Sequence, residues 1–179
     1  MIRVMLVDDH ALVRMGFRML LTNAKVEIVA EADSGEQACL EYPRARPDVV
    51  VMDLSMPGMG GLEAVRRLLA QDPKARVLVL SAYEDTAHPR RVLRAGALGY
   101  LAKRSAPDTL IAAVTAVARG DRYVDAQTAQ ALALAQIAED LSLAPSTVGT
   151  HLYRVKQKTG ASNQSELTLV ALRWGLIQG

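Results

Sequence analysis

The sequence predicts an α/β fold, a doubly wound parallel sheet of five strands and five helices, followed by a small all-α helix-turn-helix domain. Over the first two thirds of the chain, short apolar and β-branched runs alternate with segments of helical spacing. This alternation is typical of βαβ units and a parallel sheet. Beyond residue 121 the short runs stop, and only helical segments follow, separated by Pro145 and Gly160.

The elements of the first domain follow in order. Strands are predicted at residues 2–7, 26–30, 49–52, 77–80 and 99–101. Each is a short continuous apolar run, as expected for strands that helices cover on both faces. Apolar residues recur at helical spacing between them: Leu12, Met15, Met19 and Leu20, then Leu62, Val65, Leu68 and Leu69, and finally Ile111, Val114 and Val117. Gly120 ends the last helix, so the first domain is predicted at residues 1–121.

The rest of the chain predicts helices alone. Residues 122–136 form an Ala/Leu-rich linker helix, and residues 137–179 indicate helix, turn and helix, with Pro145 suited to the first turn of the second helix. Val148, Leu152 and Val155 share one face of that helix, which we expect to pack on the helix before it. The other face suits a DNA major groove, although an ordinary solvated face has the same composition. Its members are Ser146, Thr150, Tyr153, Arg154, Gln157 and Lys158.

Composition narrows the class of protein. The 179 residues are enough for one good core, or for one domain plus a small second one, and the net charge of +2 says little about partners. The single cysteine, Cys39, excludes an internal disulfide and is interpreted as a small buried apolar residue. No apolar stretch approaches the ~20 residues of a membrane helix, and no signal peptide is evident. We therefore expect a soluble, cytoplasmic protein without a membrane partner.

Polar side chains follow four of the five predicted strands. Asp8 and Asp9 follow the first strand, Asp53 the third, Ser81 the fourth and Lys103 the fifth. Each residue alone is an ordinary helix cap or surface residue, but ligands of an open parallel sheet bind beyond the carboxyl ends of its strands. Three clustered carboxylates suit a hard cation, and Mg²⁺ fits best. One carboxylate can then attack phosphorus to give an aspartyl phosphate, with Lys103 and Ser81 on the phosphoryl oxygens.

Four blocks, "LVDDH", "VVVMDLSMPGMGG", "VLVLSAYED" and "AGALGYLAK", occur in an order that resembles the receiver domain of bacterial two-component response regulators. The resemblance covers residues 1–121 and implies the strand order 2-1-3-4-5. It implies that Asp53 accepts a phosphoryl group from a sensor histidine kinase. It also implies that Asp9, Asp53 and the main-chain carbonyl of Ser55 bind Mg²⁺, with Asp8 assisting through water.

The same resemblance implies a switch pair, in which Ser81 moves to the phosphoryl group and Tyr100 turns inward. A core aromatic is the alternative interpretation of Tyr100. Arg104 departs from the family pattern, because many receivers have proline after the lysine, and this departure puts little in doubt.

"IAEDLSLAPSTVGTHLYRVKQKTG" resembles the LuxR-type helix-turn-helix of response regulators of the NarL/FixJ class. "RYVDAQTAQALAL" and "ELTLVALRWGLI" are most similar to the GacA/UvrY group of that class. The resemblance implies a recognition helix at residues 146–158 and a homodimer that pairs through the last helix, 164–174. Trp174 is then an interface anchor or a core residue. The implied contacts to double-stranded DNA are Thr147, Thr150, Tyr153, Arg154 and Lys158.

Three departures affect this second domain. Ala144 stands at the N-cap where the family prefers serine, which weakens the helix start by about 1 kcal/mol. Gly149 replaces a polar residue that contacts bases in the family, and glycine inside a helix costs ~1 kcal/mol. Finally, the first of the family's four helices is missing near residues 134–137. Two explanations stay open, a natural deletion or a sequence joined across a stretch that the intact protein contains, and we favour the second.

We therefore interpret the chain as a transcription factor switched by phosphorylation, and not as an enzyme. One alternative is a receiver that acts through protein partners only, with a degraded DNA-binding module. A less favoured alternative is a Mg²⁺-dependent phosphohydrolase that uses the same aspartyl phosphate. Against it, the sequence shows no cap insertion for a substrate and no second aspartate two residues after Asp53.

Overall fold

The computed structural model describes residues 1–82, 87–105 and 107–175, which fold into two compact units, Met1–Ala129 and Gln130–Gly179. The elements of the first unit are β1 (Arg3–Val7), α1 (Ala11–Asn23), β2 (Glu27–Ala32), α2 (Gly35–Ala45), β3 (Val49–Asp53), α3 (Gly60–Gln71), β4 (Val77–Ser81), α4 (Ala87–Arg94), β5 (Gly99–Ala102), α5 (Pro107–Arg119) and β6 (Tyr123–Val124). Three helices follow: α6 (Ala126–Asp140), which begins in the first unit, α7 (Pro145–Thr159) and α8 (Gln164–Arg173).

The strands form one sheet in the order β2-β1-β3-β4-β5-β6, and every neighbouring pair is parallel. This confirms the doubly wound class and the order 2-1-3-4-5. The sixth strand was not predicted, because residues 119–124 indicated only a break after Gly120. β6 pairs Tyr123 with Gly99 and Val124 with Tyr100. Two residues are too few to carry the alternation by which a strand is recognised in a sequence.

Helices cover both faces of the sheet, and each face has its own apolar core. α2, α3 and α4 pack on one face, where Val65 and Leu68 are buried as predicted. α1 and α5 pack on the other, where Val114 and Val117 are buried. Cys39 is only partly buried against the first core, and that burial raises the pKa of its thiol.

Most of the apolar stripe predicted for α1 faces the solvent, although its fourth member, Leu20, packs against the core. Leu12, Met15 and Met19 are 75%, 51% and 61% exposed, whereas Leu21 is fully buried and Phe17 packs beside it. α1 is apolar on more than one side, so periodicity alone does not decide which stripe meets the sheet. The core position is therefore set by tertiary packing.

The second unit has a thin core. α6 runs without a break through residues 134–137, so the helix predicted at "IAEDL" is the end of a longer helix. Among the described residues of this unit, Ala138, Val148 and Ala161 are the buried apolar side chains. Val155, predicted to pack inward, is 41% exposed. Trp174 is 63% exposed, so its interpretation as a core residue is wrong.

The ends of α7 and α8 follow the chemistry of their sequence. Ala144 offers no side-chain cap to α7, and Pro145 occupies its first turn. Gly160 closes α7 in the left-handed conformation, with φ of 73°, which glycine adopts at little cost. The side chain of Asn163 caps α8 by accepting a hydrogen bond from the Glu166 amide at 2.9 Å.

Candidate functional site

The ends of four strands bring the predicted polar residues to one edge of the sheet. Asp8 follows β1, Asp53 ends β3, Ser81 ends β4 and Lys103 follows β5. Asp8, Asp53 and Ser81 are 3%, 1% and 1% exposed, and Asp9 lies at the more open rim. Because the strands are parallel, their carboxyl ends meet at the same edge, and the five side chains form one acidic pocket there.

Lys103 joins two of the carboxylates. Its Nζ lies 2.7 Å from Asp8 Oδ2 and 2.9 Å from Asp53 Oδ2. Burial by itself lowers the pKa of Lys103, but the hydrogen bonds and negative charges of Asp53 and Asp8 outweigh it, so that pKa is raised above its usual value. The lysine is thus held in its charged form beside Asp53.

The acidic pocket carries an excess of negative charge. Three carboxylates face one ammonium, which leaves two formal negative charges in a largely buried volume. Asp8 Oδ2 and Asp53 Oδ2 are buried against the Lys103 ammonium, and Asp9 Oδ1 lies beside the His10 ring. One carboxylate oxygen from each of the three aspartates and a ring nitrogen of His10 lie within 4.8 Å of one another. A set of hard oxygen ligands with two uncompensated charges matches a divalent cation.

The loop after β3 orients Asp53. The amide of Ser55 donates to Asp53 Oδ1 at 3.1 Å, and the amide of Gly61 donates to the Leu54 carbonyl at 3.2 Å. α3 begins so close to the strand that a Cβ at Gly61 would lie 2.1 Å from the Asp53 carbonyl oxygen. The last glycine of "GMGG", Gly61, therefore allows the approach that fixes the main chain of Asp53.

Two residues, His10 and Arg14, stabilise the turn after β1, and neither was predicted from the sequence to belong to the site. The amide of His10 donates to Asp8 Oδ1 at 2.8 Å, and its ring Nδ1 lies 2.9 Å from Asp9 Oδ1. The Arg14 guanidinium donates to the Asp8 carbonyl and also pairs with Glu31, its Nε lying 3.0 Å from Oε2. The position of His10 directly after the two aspartates was the available signal. No sequence pattern indicated the role of Arg14, because its partner on β2, Glu31, is distant in the sequence.

Ser81 and Tyr100 lie on adjacent strands. Tyr100 is 2% exposed and packs in the core beneath α2, α3 and α4, and its strand neighbour in β4 is Val79. Ser81 pairs in register with Ala102, one residue before Lys103. The buried position of Tyr100 is compatible with both interpretations of that residue.

The predicted DNA-contacting residues all lie on α7. Thr147 is half-buried, and the others, Thr150, Tyr153, Arg154 and Lys158, are exposed. Thr150 donates its hydroxyl hydrogen to the Ser146 carbonyl at 3.0 Å. Thr147, Thr150, Arg154 and Lys158 recur at the spacing of one helix face, whereas Tyr153 lies with Gly149 and Leu152 along a groove between α6 and α7.

A parallel α/β sheet with an acidic pocket at its carboxyl edge, followed by a helical unit with an exposed polar helix, is the architecture of a response regulator with a DNA-binding output. The family description "Response regulator receiver domain" matches residues 4–115, and "Bacterial regulatory proteins, luxR family" matches residues 124–171. The chain belongs to the response regulators that join a receiver domain to a LuxR-type DNA-binding domain, a family of transcription regulators rather than enzymes.

Relatives match over nearly the whole chain. The response regulator GacA of Pseudomonas viridiflava is 37% identical over 99% of this chain and 98% of its own length, and UvrY of Escherichia coli O6:H1 is 37% identical over 98% and 96%. The crystal structure of a LuxR-family two-component response regulator from Aurantimonas sp. SI85-9A1 is 39% identical, with a TM-score of 0.73, over 76% of this chain and 98% of that one. Among the described residues, no helix combines the length and apolarity that crossing a bilayer requires.

Proposed function

We propose that Asp53 accepts a phosphoryl group from a sensor histidine kinase, and that the modified receiver controls DNA binding by the second unit. One observation carries the proposal: Asp53, 1% exposed, meets Lys103 Nζ at 2.9 Å in a pocket with two uncompensated negative charges. A buried carboxylate beside a fixed ammonium has both a nucleophilic oxygen and a positive group for the incoming phosphoryl oxygens.

The transfer exchanges one bond to phosphorus for another. The P–N bond to the donor imidazole breaks, its electron pair stays on the ring nitrogen, and a carboxylate oxygen of Asp53 forms the new P–O bond. Lys103 stabilises the charge on the phosphoryl oxygens, and Ser81 donates its hydroxyl to one of them. When bound, Mg²⁺ neutralises charge on the transferring group. Asp9, Asp53 and the Ser55 carbonyl would hold it, with Asp8 acting through water. The close grouping of the aspartate oxygens, with more negative charge than Lys103 offsets, supports this fit.

Phosphorylation then shifts a two-state receiver. Ser81 moves to the phosphoryl group and the inward position of Tyr100, already buried in this structure, becomes the favoured one, which changes the surface formed by β4, β5 and their neighbours. Both residues lie on strands of the same sheet, so one movement is coupled to the other through adjacent backbone.

The output is sequence-specific binding to double-stranded DNA by a homodimer in the cytoplasm. We place the receiver at residues 1–121, the linker helix at 122–136, and the DNA-binding domain at 137–179, without the first helix of its family. α7 is the recognition helix, and Thr147, Thr150, Tyr153, Arg154 and Lys158 are its proposed contacts. The exposed polar side chains of α7 support this assignment.

The phosphotransfer is tested by intact-mass spectrometry of the purified full chain, incubated with Mg²⁺ and a small phosphodonor such as phosphoramidate. We expect the wild type to gain one phosphoryl group, and D53N to gain none. Ser55→Ala is the matched control, because it keeps the main-chain amide that donates to Asp53. Labelling of D53N to the same extent as the wild type would refute Asp53 as the acceptor.

The DNA output is tested by fluorescence anisotropy with genomic fragments selected by the full chain. We expect Arg154→Ala and Lys158→Ala to weaken binding and to lower its salt dependence, because each removes a contact to phosphate. Selection of no fragment by the phosphorylated protein would favour the alternative of a receiver that acts through protein partners only.

A further inference from the structure

The ring of His10 lies at the mouth of the acidic pocket. Its Nδ1 lies 2.9 Å from Asp9 Oδ1 and 3.5 Å from Asp8 Oδ1. The exposed fraction of the side chains rises from the floor of the pocket outward, from 1% for Asp53 to 24% for Asp9 and 66% for His10. A cation that enters the pocket from the solvent therefore meets the imidazole beside the outermost carboxylate.

The start of α1 does not account for this position of the ring. His10 is the N-cap residue of α1, with extended backbone at φ −87° and ψ 102°, yet its side chain accepts no hydrogen bond from the first turn. Histidine is also not among the residues that helices prefer at this position. The amide of His10 donates to Asp8 Oδ1 at 2.8 Å, so the main chain is fixed against the pocket and the ring lies beside its carboxylates.

The spacing of these polar groups suits a single ion. One carboxylate oxygen from each of the three aspartates and the ring nitrogen of His10 all lie within 4.8 Å of one another. Around a six-coordinate ion with bonds of about 2.1 Å, adjacent ligand atoms lie about 3.0 Å apart and opposite ones about 4.2 Å apart. The 2.9 Å between His10 Nδ1 and Asp9 Oδ1 matches the shorter of these separations, so both atoms can bind one ion as adjacent ligands.

The donor set distinguishes between divalent ions. Carboxylate oxygens suit both Mg²⁺ and Mn²⁺, whereas an imidazole nitrogen favours a transition metal, because Mg²⁺ is a hard cation that keeps oxygen ligands. Three carboxylates against the single ammonium of Lys103 leave negative charge that either ion would offset. A metal-bound imidazole is uncharged, so His10 would change the choice of ion without changing the charge of the pocket.

We propose that His10 is a nitrogen ligand of the cation in the acidic pocket, and that it makes the pocket prefer Mn²⁺ to Mg²⁺. The proposal rests on the cation site of the proposed function and adds one ligand to Asp9, Asp53 and the Ser55 carbonyl. Because the His10 side chain is exposed, its ring can turn toward an ion without displacing the buried carboxylates. The alternative is a ring that only hydrogen-bonds to Asp9 and stabilises the turn, and the two arrangements differ in the spectrum and the affinity of the bound metal.

Pulsed electron paramagnetic resonance of the full chain, loaded with less than one equivalent of Mn²⁺, tests the ligand directly. We expect a nitrogen coupling to the Mn²⁺ electron spin that changes when the histidines carry the heavier nitrogen isotope, and that is lost in His10→Asn. Asparagine is a favoured N-cap residue, so this variant keeps the start of α1. His151→Asn is the matched control, because His151 is exposed on α7 of the second unit, and it should retain the coupling. Absence of the coupling in the wild type, or its persistence in His10→Asn, would overturn the proposal.

Calorimetric titration with each metal separates a ligand from a residue that only stabilises the turn. His10→Asn should raise the Mn²⁺ dissociation constant about tenfold or more, the range observed when the partners of metal ligands are removed, and should raise the Mg²⁺ constant much less. Equal weakening of both ions would mean that His10 acts only on the turn, and would overturn the proposal.

Phosphorylation of the wild type with Mg²⁺, followed by intact mass, reports on the proposed function separately. A phosphorylated Asp53 without a nitrogen coupling to Mn²⁺ would refute the role of His10 alone. A nitrogen coupling without phosphorylation would refute Asp53 as the acceptor and leave His10 as a metal ligand.

Discussion

The ammonium of Lys103 lies 2.9 Å from Asp53 Oδ2, although the two residues are fifty positions apart in the sequence. The same nitrogen lies 2.7 Å from Asp8, so one cation is shared by two buried carboxylates. Removal of the Lys103 ammonium would leave Asp8 and Asp53 without a positive partner, and a bound divalent cation would supply the missing positive charge.

Lys103→Met is therefore expected to lower the free energy of unfolding without Mg²⁺ by about 3 kcal/mol, the usual cost of removing one partner of a buried ion pair. It should bind Mg²⁺ more tightly than the wild type, because the competing positive charge is gone. Urea unfolding with and without Mg²⁺ measures both effects. Lys74→Met, at an exposed lysine, should change neither. Weaker Mg²⁺ binding by Lys103→Met would contradict this account of the pocket.

Arg14→Ala should loosen the turn that carries Asp8 and Asp9. The guanidinium holds the Asp8 carbonyl and Glu31 together, so its removal is expected to cost roughly 1–2 kcal/mol of stability and to weaken Mg²⁺ binding several-fold. Arg18→Ala is the control, since Arg18 pairs with the same Glu31 from an exposed position and does not reach Asp8. Calorimetric Mg²⁺ titration of the two variants should separate them, and equal Mg²⁺ affinities would contradict the role of Arg14.

Gly61→Ala should displace the main chain of Asp53. The added methyl group would lie 2.1 Å from the Asp53 carbonyl oxygen and 2.7 Å from Leu54 Cα, distances at which the backbone has to move. We expect Gly61→Ala to lower the free energy of unfolding by roughly 1–3 kcal/mol and to slow phosphorylation from a small donor. Gly16→Ala, where the same methyl group meets open space, should instead stabilise α1 by about 0.5–1 kcal/mol. Chemical denaturation and phosphorylation rates of the pair provide the test.

The exposed stripe of α1 should tolerate polar substitution. Leu12→Ser and Met19→Ser are expected to change the free energy of unfolding by less than about 0.5 kcal/mol, as is usual for surface positions. Leu21→Ala, at a fully buried position, should cost about 2–5 kcal/mol. A large decrease in the free energy of unfolding of Leu12→Ser would mean that the stripe packs inward, as the sequence pattern indicates.

Tyr42→Phe should change how stability depends on pH. The Tyr42 hydroxyl donates to Asp72 Oδ2 at 2.8 Å, and burial together with that carboxylate raises the pKa of the phenol far above its ordinary value of 10.0. Because the folded-state pKa is raised, the stabilisation is complete below pH 10 and is lost as the pH rises beyond it. We expect Tyr42→Phe to cost ~1 kcal/mol at pH 8 and less at pH 11. Urea unfolding at the two pH values measures the difference, and a constant cost would contradict the titration.

The convergence of the acidic pocket could be predicted because it depends on topology. Once the strands are parallel, residues at their carboxyl ends share one edge, and Asp8, Asp53, Ser81 and Lys103 follow without any knowledge of packing. The buried positions of α3 and α5 could be predicted for a similar reason, since each has one apolar stripe.

Features that depend on tertiary contacts were outside the reach of the sequence patterns. α1 has more than one apolar stripe, and the sheet selects the one with Leu21. Arg14 reaches Asp8 and Glu31 only after β1, β2 and α1 are assembled. β6 is too short to show a period, and the groove beside α6 results from how three helices pack around a core of few side chains.

β6 also has a mechanical consequence. The Tyr123 amide is bonded to the Leu98 carbonyl at 3.0 Å, and Val124 stands in register with Tyr100. The last strand, β6, is therefore paired with β5. The next residue, Asp125, caps the start of α6, because its carboxylate accepts hydrogen bonds from the amide and the hydroxyl of Thr128. A single residue, Asp125, separates the end of β6 from the start of α6. A displacement of β5 would therefore also displace the first turn of α6, because the connecting segment is too short to compensate for it.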